Sequence, residues 1–95
     1  MSEAEQLEEI KRGLGVSGSY HDSTLLRHLK DVKAYCISAG VSPIVLESDA
    51  SLGCLLRGVS DSWTQESGHT QFSVMFTQRL IQLISISKNS EVSSG

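Results

Sequence analysis

The segment Ser48–Trp63, SDASLGCLLRGVSDSW, has the strongest helical periodicity in the chain and therefore limits the possible folds most. Its large apolar residues recur at steps of three and four, which places them on one face of an α-helix. These residues are Leu52, Leu55, Leu56, Val59 and Trp63. Ser48 or Asp49 can cap the start, because a short side-chain oxygen accepts a hydrogen bond from a free backbone N–H. A helix with such a stripe needs other helices to cover it.

Two glycines interrupt this predicted helix. Gly53 and Gly58 each cost about 1 kcal/mol relative to alanine in a helix interior. The favoured interpretation is that another helix approaches closely at these positions, where a Cβ atom would block it. A kink and a backbone contact with a ligand are the alternatives.

Two helices are predicted before this segment. The first covers Ala4–Leu14, with acidic residues early and basic residues late, the order that the helix dipole favours. The second runs from a cap at Asp22 or Ser23 to Ala39, and Gly40 fits the left-handed position that ends a helix. The core-facing residues of the second helix are Leu25, Leu29, Val32 and Cys36.

A short apolar segment with the only proline of the chain follows. Pro43 after Ser42 favours a single helical turn, because proline suits the first position of a helix and serine the cap. A strand is the alternative, since Ile44 and Val45 are β-branched. The polar, glycine-containing stretch Thr64–Phe72 is predicted to be a loop.

The last helix is predicted to run from a cap at Ser73 to about Ile84. Its core-facing residues are Phe76, Leu80 and Leu83. The alternation of isoleucine and serine then permits a short edge strand over Ile84–Ser87. The serine-rich end, residues 85–95, is expected to be flexible in the free protein. Within it and at its start, the candidate partner-binding residues are Ile84, Ile86 and Val92.

These segments predict an all-α fold, a small antiparallel bundle of about four helices with flexible polar termini. The chain has 95 residues, which fits one helical domain over residues 1–84 and a tail over residues 85–95. The single proline and the low aromatic content argue against a turn-rich β domain. A domain of this size buries a modest fraction of its surface, so self-association would add stability.

Composition argues against several classes of function. The net charge of -3 gives no broad basic patch, so sequence-specific nucleic-acid binding is not expected. No apolar run approaches the roughly 18 residues of a membrane span. The N-terminus, MSEAEQLEEIKR, is acidic and polar where a signal peptide is basic and then apolar, which predicts a protein of the cytosol.

No pattern of reactive residues indicates catalysis. Cys36 and Cys54 lie among apolar neighbours without a CxxC or zinc-ligand spacing, so both are predicted to be free, buried thiols. His21, His28 and His69 share no metal-ligand spacing and are interpreted as surface or capping residues. No serine lies in a GxSxG motif, and no pair of carboxylates is embedded in an apolar stretch. An enzyme, a metal site and a cofactor are therefore not expected.

The order of these elements resembles that of the small head–tail connector, or head-completion, proteins of tailed bacteriophages. The resemblance covers about residues 5–84 and depends on four stretches. These are LEEIKRGLGV at Leu7–Val16, HDSTLLRHLKDVKAYCISAGV at His21–Val41, the Ser48–Trp63 segment with its RGVSDSW end, and FSVMFTQRLIQL at Phe72–Leu83. The chain departs from the family in the tail after Ile84, which has no distinctive pattern, and in its longer polar N-terminus.

The resemblance implies a structural protein of the virion. Proteins of this family assemble as a ring beneath the portal protein at the capsid vertex, extend the DNA channel and form the docking surface for a tail or stopper protein. Before assembly such a subunit would lie in the host cytoplasm. An acidic domain suits a channel through which DNA slides, because attraction to phosphate would retard passage.

Two other classes of function remain as alternatives. A monomeric helical adaptor or regulatory module would bind one partner helix in a groove. A helix-turn-helix DNA-binding protein is less well supported, since the Ser48–Trp63 segment has one arginine, Arg57, and two aspartates. The presence of portal and capsid genes beside its own gene would favour the connector.

Overall fold

The protein is described by a computed structural model that covers residues 1–64 and 72–94, with side chains as far as Asn89. All regular structure in these ranges is helical, which confirms the all-α fold class. The elements are α1 (Glu3–Leu14), α2 (Asp22–Ala39), α3 (Pro43–Leu46), a 3₁₀ turn (Asp49–Ser51), α4 (Leu52–Thr64) and α5 (Val74–Ser94).

Helix α1 has strong start and stop signals. The Ser2 hydroxyl accepts from the Glu5 N–H at 3.1 Å, and the Glu5 carboxylate accepts from the Ser2 N–H at 2.9 Å, which is a capping box. The second of these hydrogen bonds lowers the pKa of Glu5. Gly15 ends the helix with a left-handed φ of 73°. The predicted end of this helix at Leu14 is therefore confirmed.

Helix α2 ends as predicted and starts differently. Gly40 has a φ of 114°, so its left-handed role after Ala39 is confirmed. The predicted cap at Asp22 or Ser23 is wrong, because His21 occupies the cap position and makes no capping bond through its side chain. The Asp22 carboxylate lies instead 2.7 Å from the ammonium group of Lys11 on α1.

The predicted turn at Pro43 is confirmed as the helix α3, and the alternative strand does not form. The Ser42 hydroxyl accepts from the Val45 N–H at 3.3 Å and so caps this turn. The predicted cap of α4 at Ser48 or Asp49 is wrong. The Ser48 hydroxyl donates to the Val45 carbonyl at 2.7 Å, and a 3₁₀ turn separates it from the start of α4.

Helix α4 lies at the centre of the molecule and contacts α1, α2 and α5. It runs antiparallel to α5, because Asp61 near its end accepts from the Ser73 N–H at 2.9 Å, just before the start of α5. Gly58 then faces Phe76 on α5 and Val32 on α2. A Cβ atom on Gly58 would lie 2.7 Å from each of these two side chains, which confirms the predicted close approach there.

The core differs from the prediction along α4. Most of the predicted core residues are buried: Leu25, Leu29, Val32, Cys36, Leu55, Val59, Phe76, Leu80 and Leu83. The other three, Leu52, Leu56 and Trp63, are only partly buried. The buried stripe of α4 is shifted to Cys54, Leu55, Gly58, Val59 and Ser62. The small side chains on this stripe let α2 and α5 approach α4 closely. Leu52, Leu56 and Trp63 therefore lie at the edge of the core.

Six buried core residues were not among those predicted. They are Leu7, Ile10, Val41, Val45, Leu46 and Cys54, of which only Cys54 belongs to α4. Leu7 and Ile10 belong to the apolar side of α1, and the other three follow the end of α2. The short segment after α2 therefore closes one end of the core.

Helix α5 is longer than predicted. The predicted helix end at Ile84 and the alternative strand over Ile84–Ser87 are both wrong, because the helix continues to Ser94. Ser87 is 1% exposed, and its hydroxyl donates to the Leu83 carbonyl and accepts from the Ser42 N–H, each at 2.9 Å. A serine with both hydrogen bonds made extends the buried face of α5 beyond Ile84. Whether residues 90–95 are flexible stays a prediction.

Candidate interaction surfaces

The buried polar side chains serve to join the helices. Gln6 on α1 is fully buried, donates to the Leu46 carbonyl at 2.7 Å and accepts from the Lys33 ammonium group at 2.9 Å. The Ser51 hydroxyl donates to the same Leu46 carbonyl at 2.7 Å. These hydrogen bonds connect α1, α2 and α3, so this cluster is explained by the fold.

Lys11 is a second buried polar residue with a structural partner. Its side chain is 9% exposed and lies 2.7 Å from Asp22 and 3.7 Å from Glu8. The close Asp22 carboxylate raises the pKa of Lys11. The pair holds the end of α1 against the start of α2.

The two cysteines face each other across the contact between α2 and α4. Cys36 and Cys54 are both free and buried, and each thiol influences the pKa of the other. The neighbouring Cys36 thiol, together with burial, raises the pKa of Cys54. A buried thiol that keeps its proton is a poor nucleophile, so the pair packs as small apolar side chains.

The histidines lie apart. His21 packs between Tyr20 and Trp63, with ring centroids 4.8 and 5.3 Å away, and His28 is partly buried on α2. His69 lies outside the described residues. Within the described ranges, no three His, Cys, Asp or Glu side chains group together as a metal site would require.

An apolar groove runs between α1 and α4. It has a volume of about 360 Å³ and is lined by Ile10, Gly13, Leu52, Gly53 and Leu56, together with the charged residues Glu9 and Arg12. The two glycines let neighbouring side chains lie directly on the helix backbone. A Cβ atom on Gly13 would lie 2.7 Å from Leu56, and one on Gly53 would lie 2.9 Å from the Arg79 guanidinium group.

The outward face of α5 is apolar and nearly free of charge. Val74, Met75, Ile81 and Ile86 are 73, 50, 59 and 41% exposed. Uncharged Gln78, Gln82 and Ser85 lie between them. An exposed face of aliphatic and uncharged side chains is typical of a surface that another molecule covers. We call this surface the α5 face.

The candidate partner-binding residues have different surroundings. Ile84 is partly buried and packs against the core, with its Cγ2 atom close to Gly40. Ile86 is exposed on the α5 face. The side chain of Val92 lies outside the described residues. The structure adds Val74, Met75 and Ile81, which the sequence indicates only by the scarcity of charges between residues 74 and 87.

A small apolar corner projects where α3 meets the 3₁₀ turn. Ile44 is 82% exposed, and Pro43 beside it is exposed as well. The exposed carboxylates of Glu47 and Asp49 flank these two residues. Neither carboxylate forms an ion pair with any described residue. We call Pro43, Ile44, Glu47 and Asp49 the α3 corner.

The chain was compared with protein families, curated proteins and solved structures. No match was found. No family model matches the chain, and neither a curated protein nor a solved structure matches it. In the described part of the chain, none of the helices has the length and apolar character needed to cross a membrane.

Proposed function

We propose that the protein is a structural subunit of a phage virion, part of a ring that binds the portal protein at the capsid vertex. The ring forms the head–tail interface, lines the DNA channel and presents a surface to a tail or stopper protein. The all-α fold and the resemblance of residues 5–84 to head–tail connector proteins support this proposal.

The α5 face is the observation that carries the proposal. Val74 and Ile81 point away from the core side of α5, which Phe76, Leu80 and Leu83 occupy. Covering such side chains contributes about 25 cal/mol for each Å² of apolar surface removed from water. The α5 face therefore suits a lasting contact in an assembled particle, and the portal protein is the occupant that we assign to it.

If the proposal is correct, a portal protein is encoded in the same genome, and binding to that portal protein tests the proposal. The two purified proteins are mixed, and the complex is examined by sedimentation and by electron microscopy of the particles. We expect a ring of this chain on one end of the portal. Ile81→Ser should weaken the binding about tenfold or more, because it removes an aliphatic side chain from the α5 face.

Thr77→Ser is the matched control, because Thr77 is an exposed α5 residue whose hydroxyl bonds to the Ser73 carbonyl within its own helix. It should leave portal binding unchanged. The proposal is wrong if the wild-type chain does not bind the portal. The α5 face is not the portal contact if Ile81→Ser binds as well as Thr77→Ser.

A monomeric helical adaptor is the second candidate, and the α1–α4 groove favours it. An apolar groove between two helices is a common site for a helix of a partner protein. An adaptor would bind a peptide in this groove as a monomer and would not form rings on a portal. The portal experiment therefore separates the two functions.

A further inference from the structure

We propose that the α3 corner of one copy of this chain inserts into the α1–α4 groove of the next copy, with Ile44 in the groove and Glu47 facing Arg79. This inference rests on the proposed function, since it supplies the contact between neighbouring subunits of the ring. It is separate from the α5 face, to which the portal is assigned.

The groove has the size and chemistry to receive an aliphatic side chain. Leu52 and Leu56 supply apolar walls, and Ile10, Gly13 and Gly53 complete the lining. A volume of about 360 Å³ accommodates an isoleucine together with part of the turn that carries it. The partly exposed leucines would gain burial when the groove is filled.

A cationic group stands at the edge of this groove. The guanidinium group of Arg79 extends from α5 across Gly53, 2.9 Å from the place where a Cβ atom would be. Among the described residues Arg79 has no carboxylate partner, whereas Arg12, which lines the groove, is bound to Glu9 at 2.6 Å. Arg79 is thus the cation at the groove that can bind a carboxylate from another molecule.

The α3 corner has the complementary features. Ile44 is the most exposed of the large aliphatic residues in the described part of the chain. Glu47 lies three residues, about one helical turn, after it. The corner carries two carboxylates and no basic residue. An apolar side chain beside a free carboxylate therefore matches an apolar groove beside a free guanidinium, and such pairs give a docking contact its register.

The two surfaces belong to different parts of the molecule. The corner follows the end of α2, and the groove lies between α1 and the side of α4 that is not packed on α2. Since Ile44 is 82% exposed, it does not fill the groove of its own chain. Contact between unlike surfaces is heterologous, and repetition of such a contact closes a ring when the rotation allows it.

Self-association of single variants tests this contact. Sedimentation velocity is measured from micromolar to millimolar protein, where we expect the wild-type chain to associate reversibly. Ile44→Ser should weaken association about tenfold or more, because an isoleucine is no longer buried. Arg79→Glu should weaken it as well, and Arg79→Glu combined with Glu47→Arg in one chain should restore it.

Two exposed residues on other surfaces provide matched controls. Ile81→Ser removes an isoleucine from the α5 face, and Arg27→Glu reverses a charge on an exposed position of α2. Both should associate like the wild-type chain. High salt should weaken association of the wild-type chain, because it screens the attraction between Arg79 and Glu47.

Mixing two variants tests the direction of the contact. An Ile44→Ser chain keeps an intact groove, and an Arg79→Glu chain keeps an intact corner. Their mixture should form dimers that do not grow further, because the two surfaces left free in each dimer are the mutated corner of one chain and the mutated groove of the other. Growth beyond dimers in the mixture, or no dimers at all, overturns the proposal.

Three further results would also overturn it. They are a wild-type chain that stays monomeric at millimolar concentration, an Ile44→Ser chain that associates normally, and a charge-reversed pair that does not recover. Portal binding by the wild-type chain is measured separately and does not depend on these results. A chain that associates through this contact but does not bind the portal refutes the proposed function alone.

Discussion

Gly58 is the position where the packing of α4 leaves the least space. A Cβ atom there would lie 2.7 Å from both Val32 and Phe76, and both of these side chains are buried. At Gly53 the nearest group is the end of the flexible Arg79 side chain, at 2.9 Å. A Cβ atom would therefore meet packed core side chains at Gly58 and the end of a flexible side chain at Gly53.

Gly58→Ala is expected to lower the free energy of unfolding by about 1–3 kcal/mol, because an overfilled core shifts its neighbours. Gly53→Ala should leave stability unchanged or raise it by up to about 1 kcal/mol, since Arg79 can move and alanine favours the helix. Urea denaturation of both variants measures the difference. Equal effects would mean that helix propensity, and not packing, decides both positions.

The cysteines give a second prediction at the residue scale. Cys36 and Cys54 are 0 and 1% exposed, so neither should react with a maleimide reagent while the protein is folded. Both should react in denaturant, and mass spectrometry counts the labels. Labelling of one thiol under native conditions at the rate of a small free thiol would contradict the buried pair.

The hydropathy pattern predicted the buried residues of α2 better than those of α4. In α2 the buried positions are the large apolar ones, Leu25, Leu29 and Val32, so their spacing in the sequence indicates the face. In α4 the buried stripe includes Gly58 and Ser62, which have no strong hydropathy signal. Close packing favours small residues because of their size, and the spacing of large apolar residues does not indicate where they lie.

At the scale of the elements, α4 has one side in the core and one side at the groove. Leu55 is fully buried, whereas Leu56 is partly buried against Gly13. Leu55→Ala should therefore cost about 2–5 kcal/mol of stability, and Leu56→Ala less than half as much. Thermal and urea denaturation of the two variants compare them. A larger loss for Leu56→Ala would place the core on the other side of the helix.

Truncation of α5 tests how far the folded part of the chain extends. Deletion of Lys88–Gly95 should leave the melting temperature nearly unchanged, because the last buried side chain described on α5 is Ser87. Deletion of residues 85–95 should lower it clearly, since the Ser42 N–H then loses its acceptor. If the shorter deletion unfolds the domain, residues 88–95 contribute to the core.

The ends of the helices were predictable where a glycine marks them. Gly15 and Gly40 adopt the left-handed conformation that their sequence context predicts. The end of α5 was not predictable, because the alternation of isoleucine and serine fits a strand and the same residues also continue a helical stripe through Ser87. The partner of the Ser87 hydroxyl, Ser42, lies 45 positions away and is not apparent from local sequence.

At the scale of the whole molecule, the exposed apolar residues are divided among separate surfaces. The α5 face, the α3 corner and Tyr20, which is 90% exposed, belong to different elements. The free protein is therefore expected to be a monomer or a weak oligomer in dilute solution, and to close into a ring only on the portal. Sedimentation at nanomolar concentration measures this, and a ring that persists there would contradict it.

The fold class was predictable from the sequence, whereas the interaction surfaces were not. Helical periodicity and the absence of turn-rich segments are enough to predict a small helical bundle. The α1–α4 groove arises from Gly13 and Leu56, which are distant in sequence and meet only when α1 packs beside α4. The connector function depends on the resemblance and stays a prediction.

The central position of α4 affects how the molecule unfolds. Gly53 and Gly58 give this helix a low intrinsic stability, since each weakens an isolated helix by about 1 kcal/mol. Helix α4 also makes the contacts that hold α1, α2 and α5 together. A partly unfolded form that keeps α4 but loses its neighbours would thus have no source of stability, and one that loses α4 would have no core. The three long helices around it consequently melt together, as one cooperative unit.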